Sequence, residues 1–268
     1  MIIIRLTILF FLICFSAHDF ANTTETTFDN LSEVSNKNQF ITTKLIKLYD
    51  KERNRLIPIN LYINTKTQGK ANAGILKMPV VIINHGYTVK NTEYSFLANA
   101  LAAQGYFVVS IQHDLKTDTT FPKTGNLYEQ RKPLWGRGVA NILFVIKSLS
   151  NIAPNLNLTK VTLIGHSNGE DIVILFTKEH PDLVKQAISL DSLRLPFLRS
   201  GKISILSLRA NDTQADPGVL PPKKTDKKFN ITIITLKDAK HIDLCDRGSE
   251  SIRKEINKFV LNFLRKTA

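Results

Sequence analysis

A short apolar run, Val161-Thr-Leu-Ile164, breaks into Gly165-His-Ser167-Asn-Gly169, and a helix-like segment follows. This is the sequence of a strained strand-to-helix turn that lifts a serine hydroxyl above the edge of a parallel sheet. Glycine is needed at both ends because a side chain at position 165 or 169 would strike neighbouring backbone in so tight a bend. The pentapeptide alone is weak, since a chain of this length shows one by chance roughly one time in ten. Its weight depends on what surrounds it.

The order of elements supplies the first support. Leu45–Tyr49 and Ile57–Ile63 are strand-like and flank the turn-forming stretch Asp50–Arg55, which predicts a hairpin. Val80–Ile83 is a continuous apolar run of the kind that is buried on both faces in a parallel sheet. Tyr94, Leu97, Ala98 and Leu101 follow at helical spacing up to Gly105, and Tyr106–Ile111 is the next strand. A polar loop is expected from Asp114 to Gly136, followed by a helix carrying Val139, Ile142, Leu143, Ile146 and Leu149. After the serine turn come strands at Ala187–Leu190, Ile203–Leu208 and Ile231–Leu236, then an amphipathic helix through Ile252, Ile256, Phe259, Val260 and Phe263. Strands alternating with helices predict an α/β fold: a mostly parallel, doubly wound sheet with helices on both faces. The 268 residues suit one large domain, spanning residues 41–268, with no internal repeat.

The amino terminus reads differently. Arg5 precedes an apolar core, Leu6–Phe15, that suits a secretory signal and is short for a membrane span. Residues 1–21 are read as a signal peptide cleaved between Ser16 and Ala21, and 22–40 as a flexible polar leader. Cys14 lacks the small residues that precede a lipoprotein cysteine. Its removal leaves Cys245 as the single cysteine of a mature chain, so no internal disulfide is available. These readings predict a secreted or periplasmic protein. The formal net charge of +13 favours anionic surroundings such as a membrane surface, while no nucleic-acid motif accompanies it. Runs such as Lys223–Lys228 and Lys254–Lys266 also suit plain solvated faces.

A serine hydroxyl becomes a useful nucleophile only when a positioned base takes its proton and an acid orients that base. Of six histidines, only His241 lies beyond the helix that follows Ser167, in a loop just past the last apolar strand. His180 opens a His-Pro-Asp turn and suits a helix end. Two backbone N–H groups are needed for the developing oxyanion. One is that of Asn168, the residue after the nucleophile. The other is expected from the loop Asn84-His85-Gly86-Tyr87, at Tyr87. Three carboxylates compete for the acid. Asp191 directly follows a buried strand, where an unpaired carboxylate is costly. Asp212 and Asp216 follow the next strand, which is the usual position for such an acid.

His85-Gly86-Tyr87, Ala102-Ala-Gln-Gly105-Tyr-Phe-Val-Val-Ser-Ile111, Gly165-His-Ser-Asn-Gly169 and Ser189-Leu-Asp191 together resemble the α/β-hydrolase superfamily. The pattern is most similar to the esterase and lipase branch of platelet-activating-factor acetylhydrolases and chlorophyllases, from about residue 45 to the end. That resemblance implies a serine hydrolase of carboxylic esters, without metal or cofactor, and points to Asp191 as the acid. One departure stands out: Glu170 occupies a position where the family usually has a second glycine. An acidic group there is expected to tilt the helix or to set a negative charge near Ser167.

The loop 114–136 is read as a cap, with Phe121, Leu127, Tyr128, Leu134 and Trp135 giving apolar surface and Arg131, Lys132 and Arg137 giving charge. Arg194 and Arg209, at strand ends, suggest an acyl ester bearing a negative group, such as a phospholipid or lysophospholipid. They equally suit ion pairs with Asp191, Asp212 or Asp216. Cys245 is read as a small core residue. A peptidase or thioesterase on the same three side chains, or a non-catalytic binding protein on this scaffold, are the readings left beside the esterase.

Overall fold

The computed structural model describes residues 40–222 and 227–267, so the signal and leader readings, with Cys14, lie outside the described residues. Among the described residues, eight strands form one sheet. β1 (Ile41–Asp50) and β2 (Arg55–Asn64) make the antiparallel hairpin, and β2 joins β4 (Phe107–Ile111) antiparallel. All the remaining pairings are parallel, in the order β4, β3 (Met78–Asn84), β5 (Leu156–His166), β6 (Val184–Leu190), β7 (Ser204–Arg209) and β8 (Ile231–Thr235).

Alternation along the central strands divides the core in two. Val80 and Ile82 point into one apolar cluster, while Val81 and Ile83 point into the other. The first is closed by α3 (Leu127–Ile152) and α4 (Asn168–Glu179), which pack on each other. The second is closed by α2 (Ser95–Ala103) and α5 (Glu250–Lys266). In α5 the buried residues Ile252, Ile256, Val260 and Leu264 recur every fourth position, as a helix with one apolar stripe requires. Ser249 caps its start by accepting from the Ile252 N–H.

Two elements depart from expectation. A short helix, α1 (Thr65–Asn72), follows β2; Ala71 is its one buried residue, so it carries no apolar period, and Asn64 starts it by accepting from the N–H groups of Lys66 and Thr67. The stretch expected to be loop through Gly136 is loop only to Asn126, because α3 begins at Leu127 and takes in Pro133. Proline and two glycines read locally as breakers, yet tertiary packing overrides them. Trp135 is wholly buried, and a Cβ at Gly138 would stand 2.5 Å from Ile172 Cδ1, so that glycine lets α3 close on α4. Trp135 is therefore a core residue and not cap surface.

Candidate active site

The serine turn sits where β5 passes into α4. Ser167 has φ 53° and ψ −120°, a backbone state worth roughly 1–3 kcal/mol of strain for a residue with a side chain. A Cβ on Gly165 would lie 2.4 Å from the Gly169 carbonyl oxygen, and one on Gly169 would lie 2.2 Å from that of Asn84. Only hydrogen fits at either place. The turn is thus clamped between α4 and the end of β3.

His241, in a short 3₁₀ turn after β8, places its Nε2 2.9 Å from Ser167 Oγ and its Nδ1 2.6 Å from Asp191 Oδ2. The same Asp191 oxygen accepts the Thr213 hydroxyl at 2.5 Å, and its Oδ1 accepts the Ala210 N–H at 3.1 Å. Arg209 Nη1 lies 3.0 Å from that Oδ1. Burial opposes ionisation of Asp191, but hydrogen bonds from His241 and Thr213 and the Arg209 charge outweigh it and hold the carboxyl below its ordinary range. Asp212 does something different: its Oδ1 accepts the main-chain N–H of His241 at 2.7 Å. Asp216 is paired with Arg194. Of the three competing carboxylates, Asp191 is the one on the imidazole.

Gly86 abuts the serine, since a Cβ there would come within 3.2 Å of Ser167 Cβ. Its two flanking peptides are both pinned. The Gly86 N–H donates to the Tyr94 hydroxyl at 2.9 Å, while its carbonyl accepts from His85 Nδ1 at 2.8 Å and from the Val89 N–H at 3.1 Å. His85 Nε2 accepts the His113 N–H at 2.8 Å, so its proton is on Nδ1 and the ring is neutral. Burial holds the pKa of His85 down. In a trans peptide the N–H is opposite to the C=O, which leaves the Tyr87 N–H turned away from His85. Among the described residues, neither this N–H nor that of Asn168 donates to a protein acceptor. Asn168 also stands in the first turn of α4, where free N–H groups and the helix dipole favour negative charge. Its side-chain oxygen accepts from Trp135 Nε1 at 3.0 Å.

Glu170 is wholly buried on the other side of the turn, beside Asp171, Ser192, Arg209 and Asp191. Burial, with Asp171 next to it, pushes its pKa well up and so favours the uncharged form of the carboxyl. Of the two readings of Arg194 and Arg209, the structure shows the ion pairs. Arg209 is spent on Asp191 and the Ser192 carbonyl, Arg194 on Asp216, and Arg137 on Asp114 and Asp118. Arg131 donates to the Pro122 carbonyl and lies over the Phe121 ring. Phe121 in turn stacks on Tyr87 at 4.2 Å between centroids. A cavity of about 200 Å³ opens there, lined by Tyr87, Asp114, Thr120, Phe121, Leu134 and Arg137. Cys245 is buried, donates to the Ile242 carbonyl and has no place in this centre. Among the described residues, no group of three or more His, Cys, Asp or Glu side chains is placed to hold a metal ion.

Thr213, Tyr94 and His166 were missed by the sequence reading. Nothing local marks Thr213 or Tyr94, and His166 is visible only as the variable position within the serine motif.

Neither a family model nor a curated protein matches the chain by sequence. Solved structures do. A candidate lipase from Sulfolobus solfataricus is 12% identical over 92% of this chain and 100% of its own, with a TM-score of 0.65. A fungal esterase from Rhizomucor miehei is 12% identical over 85% of this chain and 83% of its own, with a TM-score of 0.62. An epoxide hydrolase from Vigna radiata is 9% identical over 87% of this chain and 100% of its own, with a TM-score of 0.55. The chain has the α/β-hydrolase fold. Those three proteins span different reactions, so the reaction must be argued from the site.

Proposed function

We propose that a chain with this fold and this placement of Ser167 is a serine hydrolase of carboxylic esters, of the esterase and lipase kind. The observation that carries the reading is the line from Ser167 Oγ through both nitrogens of His241 to Asp191, at 2.9 and 2.6 Å, on a serine held at a positive φ. His241 Nε2 takes the hydroxyl proton as Oγ adds to the ester carbonyl, and it returns that proton to the departing alkoxide. Asp191 holds Nδ1–H and thereby the tautomer that leaves Nε2 bare. The tetrahedral oxyanion is received by the N–H groups of Tyr87 and Asn168, which are worth about 10²–10³ in kcat per donor where such groups have been removed. Water then repeats the sequence on the acyl-enzyme. Ser167 and His241 are both partly exposed, so water has access.

The paired arginines support neutral esters over anionic ones, and the cavity beside Tyr87 supports a compact group on one side of the carbonyl. The motifs resembling platelet-activating-factor acetylhydrolases and chlorophyllases support the same branch of chemistry. The apolar segment Leu6–Phe15 supports export, which amino-terminal sequencing of the protein recovered from outside the cytoplasm would test.

The test of the activity is a fluorophosphonate probe with Ser167→Ala as control. Covalent labelling of the folded wild type that disappears in the variant supports the reading. Labelling that persists, or a folded wild type that is not labelled, overturns it.

A further inference from the structure

A chain of three hydrogen bonds, two buried and the third part-buried, runs between the two loops that flank Ser167. The Gly86 N–H donates to the Tyr94 hydroxyl at 2.9 Å, Tyr94 Oη lies 2.8 Å from His166 Nδ1, and His166 Nε2 lies 3.0 Å from the His241 carbonyl oxygen. Its polarity follows from the chemistry of its ends. A carbonyl can only accept, so His166 Nε2 carries the proton. In a neutral ring Nδ1 is then bare and accepts the Tyr94 O–H, whose oxygen is free to accept from Gly86. Every donor in the chain meets one acceptor.

We propose that Tyr94 and His166 are positioning residues that lock the loop carrying the base to the loop carrying the second oxyanion donor, so that both close on the same carbonyl carbon in fixed register. The proposal rests on the reading of Ser167 as nucleophile. Each of the two peptides is held at both ends, and at one of them by this chain. The His241 peptide groups are held by Asp212 at the N–H and by His166 at the C=O. Those of Gly86 are held by Tyr94 at the N–H and by His85 at the C=O. The space is closed as well: His166 is 1% exposed, Tyr94 is 1% exposed, and a Cβ on Gly86 would stand 3.0 Å from His166 Nδ1. An apolar pair of the same volume would fill this space without desolvating a hydroxyl and an imidazole, which marks the polar chain as serving register more than packing. Burial and the neighbouring His241 bring the His166 pKa down to about 3, which keeps the ring neutral and the polarity of the chain intact.

The test compares wild type with Tyr94→Phe, His166→Gln, His166→Phe and the Tyr94→Phe/His166→Phe double variant, using p-nitrophenyl acetate turnover, the rate of fluorophosphonate labelling and thermal unfolding. Tyr94→Phe removes one oxygen and leaves two groups unpaired. Its kcat should fall about tenfold or more with KM within about twofold, because the interaction acts on the transition state. Labelling should slow by a similar factor. His166→Gln, which keeps a donor in reach of the His241 carbonyl, should retain more kcat than His166→Phe. The double variant should lose little more than the worse single one, since one break already opens the chain. The proposal is overturned if folded Tyr94→Phe keeps kcat within about twofold, if Gln and Phe at 166 are equivalent, or if the losses in the single variants multiply. Should Tyr94→Phe not fold, the ordering of Gln and Phe at 166 decides alone. Ser167-dependent labelling of wild type separates the two failures: where it is absent the hydrolase reading falls and takes this proposal with it, and where it is present with unaffected variants only the proposal falls.

Discussion

Asp191 Oδ2 reaches His241 Nδ1 at 2.6 Å although fifty positions separate the two along the chain. The carboxyl is brought there by a residue at φ 64°, just past the last strand position of β6, which turns the side chain back over the sheet edge. Asp212 approaches the same histidine from its main-chain side. The two carboxylates therefore have separable effects. Asp191→Asn should reduce kcat by about 10³–10⁴-fold by disturbing the tautomer of the base. Asp212→Asn keeps an oxygen for the His241 N–H and should cost no more than about tenfold. Steady-state turnover of a simple acyl ester, with folding checked by circular dichroism, separates them; equal losses would refute the assignment.

Thr213 should act on the acid limb of the pH profile. Its hydroxyl donates to the very oxygen that holds His241, and this bond helps keep the Asp191 pKa low. Thr213→Val removes the donor at nearly constant volume. The carboxylate is then less favoured over the acid, so the limb on which kcat/KM rises with pH should move to higher pH. A profile carried below pH 4, into the range where the Asp191 carboxyl takes up its proton, that is unmoved or moves downward contradicts this role.

Glu170 makes a stability prediction with a definite sign. Its folded pKa is raised above the ordinary value, so its contribution is fully present below the unfolded pKa and is lost as pH rises toward the folded one. Glu170→Gln cannot ionise. Its unfolding free energy relative to wild type should therefore increase with pH above the ordinary glutamate range, at up to about 1.4 kcal/mol per pH unit. Urea unfolding at pH 5, 7 and 9 measures the difference. A constant difference across the three would show that the buried carboxyl does not titrate between the two states.

Two glycines give a contrast in space. Gly169→Ala puts a methyl group against the Asn84 and His85 carbonyl oxygens, which belong to backbone and cannot swing away. The cost should reach about 3 kcal/mol or more, with loss of labelling at Ser167. Gly69 lies within α1 with nothing within 4 Å of a built Cβ. Gly69→Ala should stabilise by about 0.5–1 kcal/mol through helix propensity alone. Thermal unfolding of the pair checks both signs.

The arrangement of strands and helices was legible because its cause is local. Val80–Ile83 reads as a strand buried on both faces because every residue of it is apolar, and β3 lies centrally in the sheet. Ser167 was legible because a tight strand-to-helix turn demands glycine at fixed spacing. His241 was legible by elimination along the chain. The start of α3 was not, since Pro133 and Gly138 argue against a helix until Ile172 and the pocket of Trp135 are present to reward one.

By itself the sequence determined the periodicity of the elements, the place of the serine turn and a short roster of groups able to do chemistry, because each depends on residues within a few positions of one another. Only the tertiary structure set Asp191, and not Asp212 or Asp216, against the imidazole, paired the arginines with carboxylates, and buried Glu170 where its uncharged form is favoured. Those outcomes depend on distance and dielectric between segments tens of residues apart, and a hydrogen bond from His241 to Asp191, or from Tyr94 to His166, exists only once the sheet has set both ends in place.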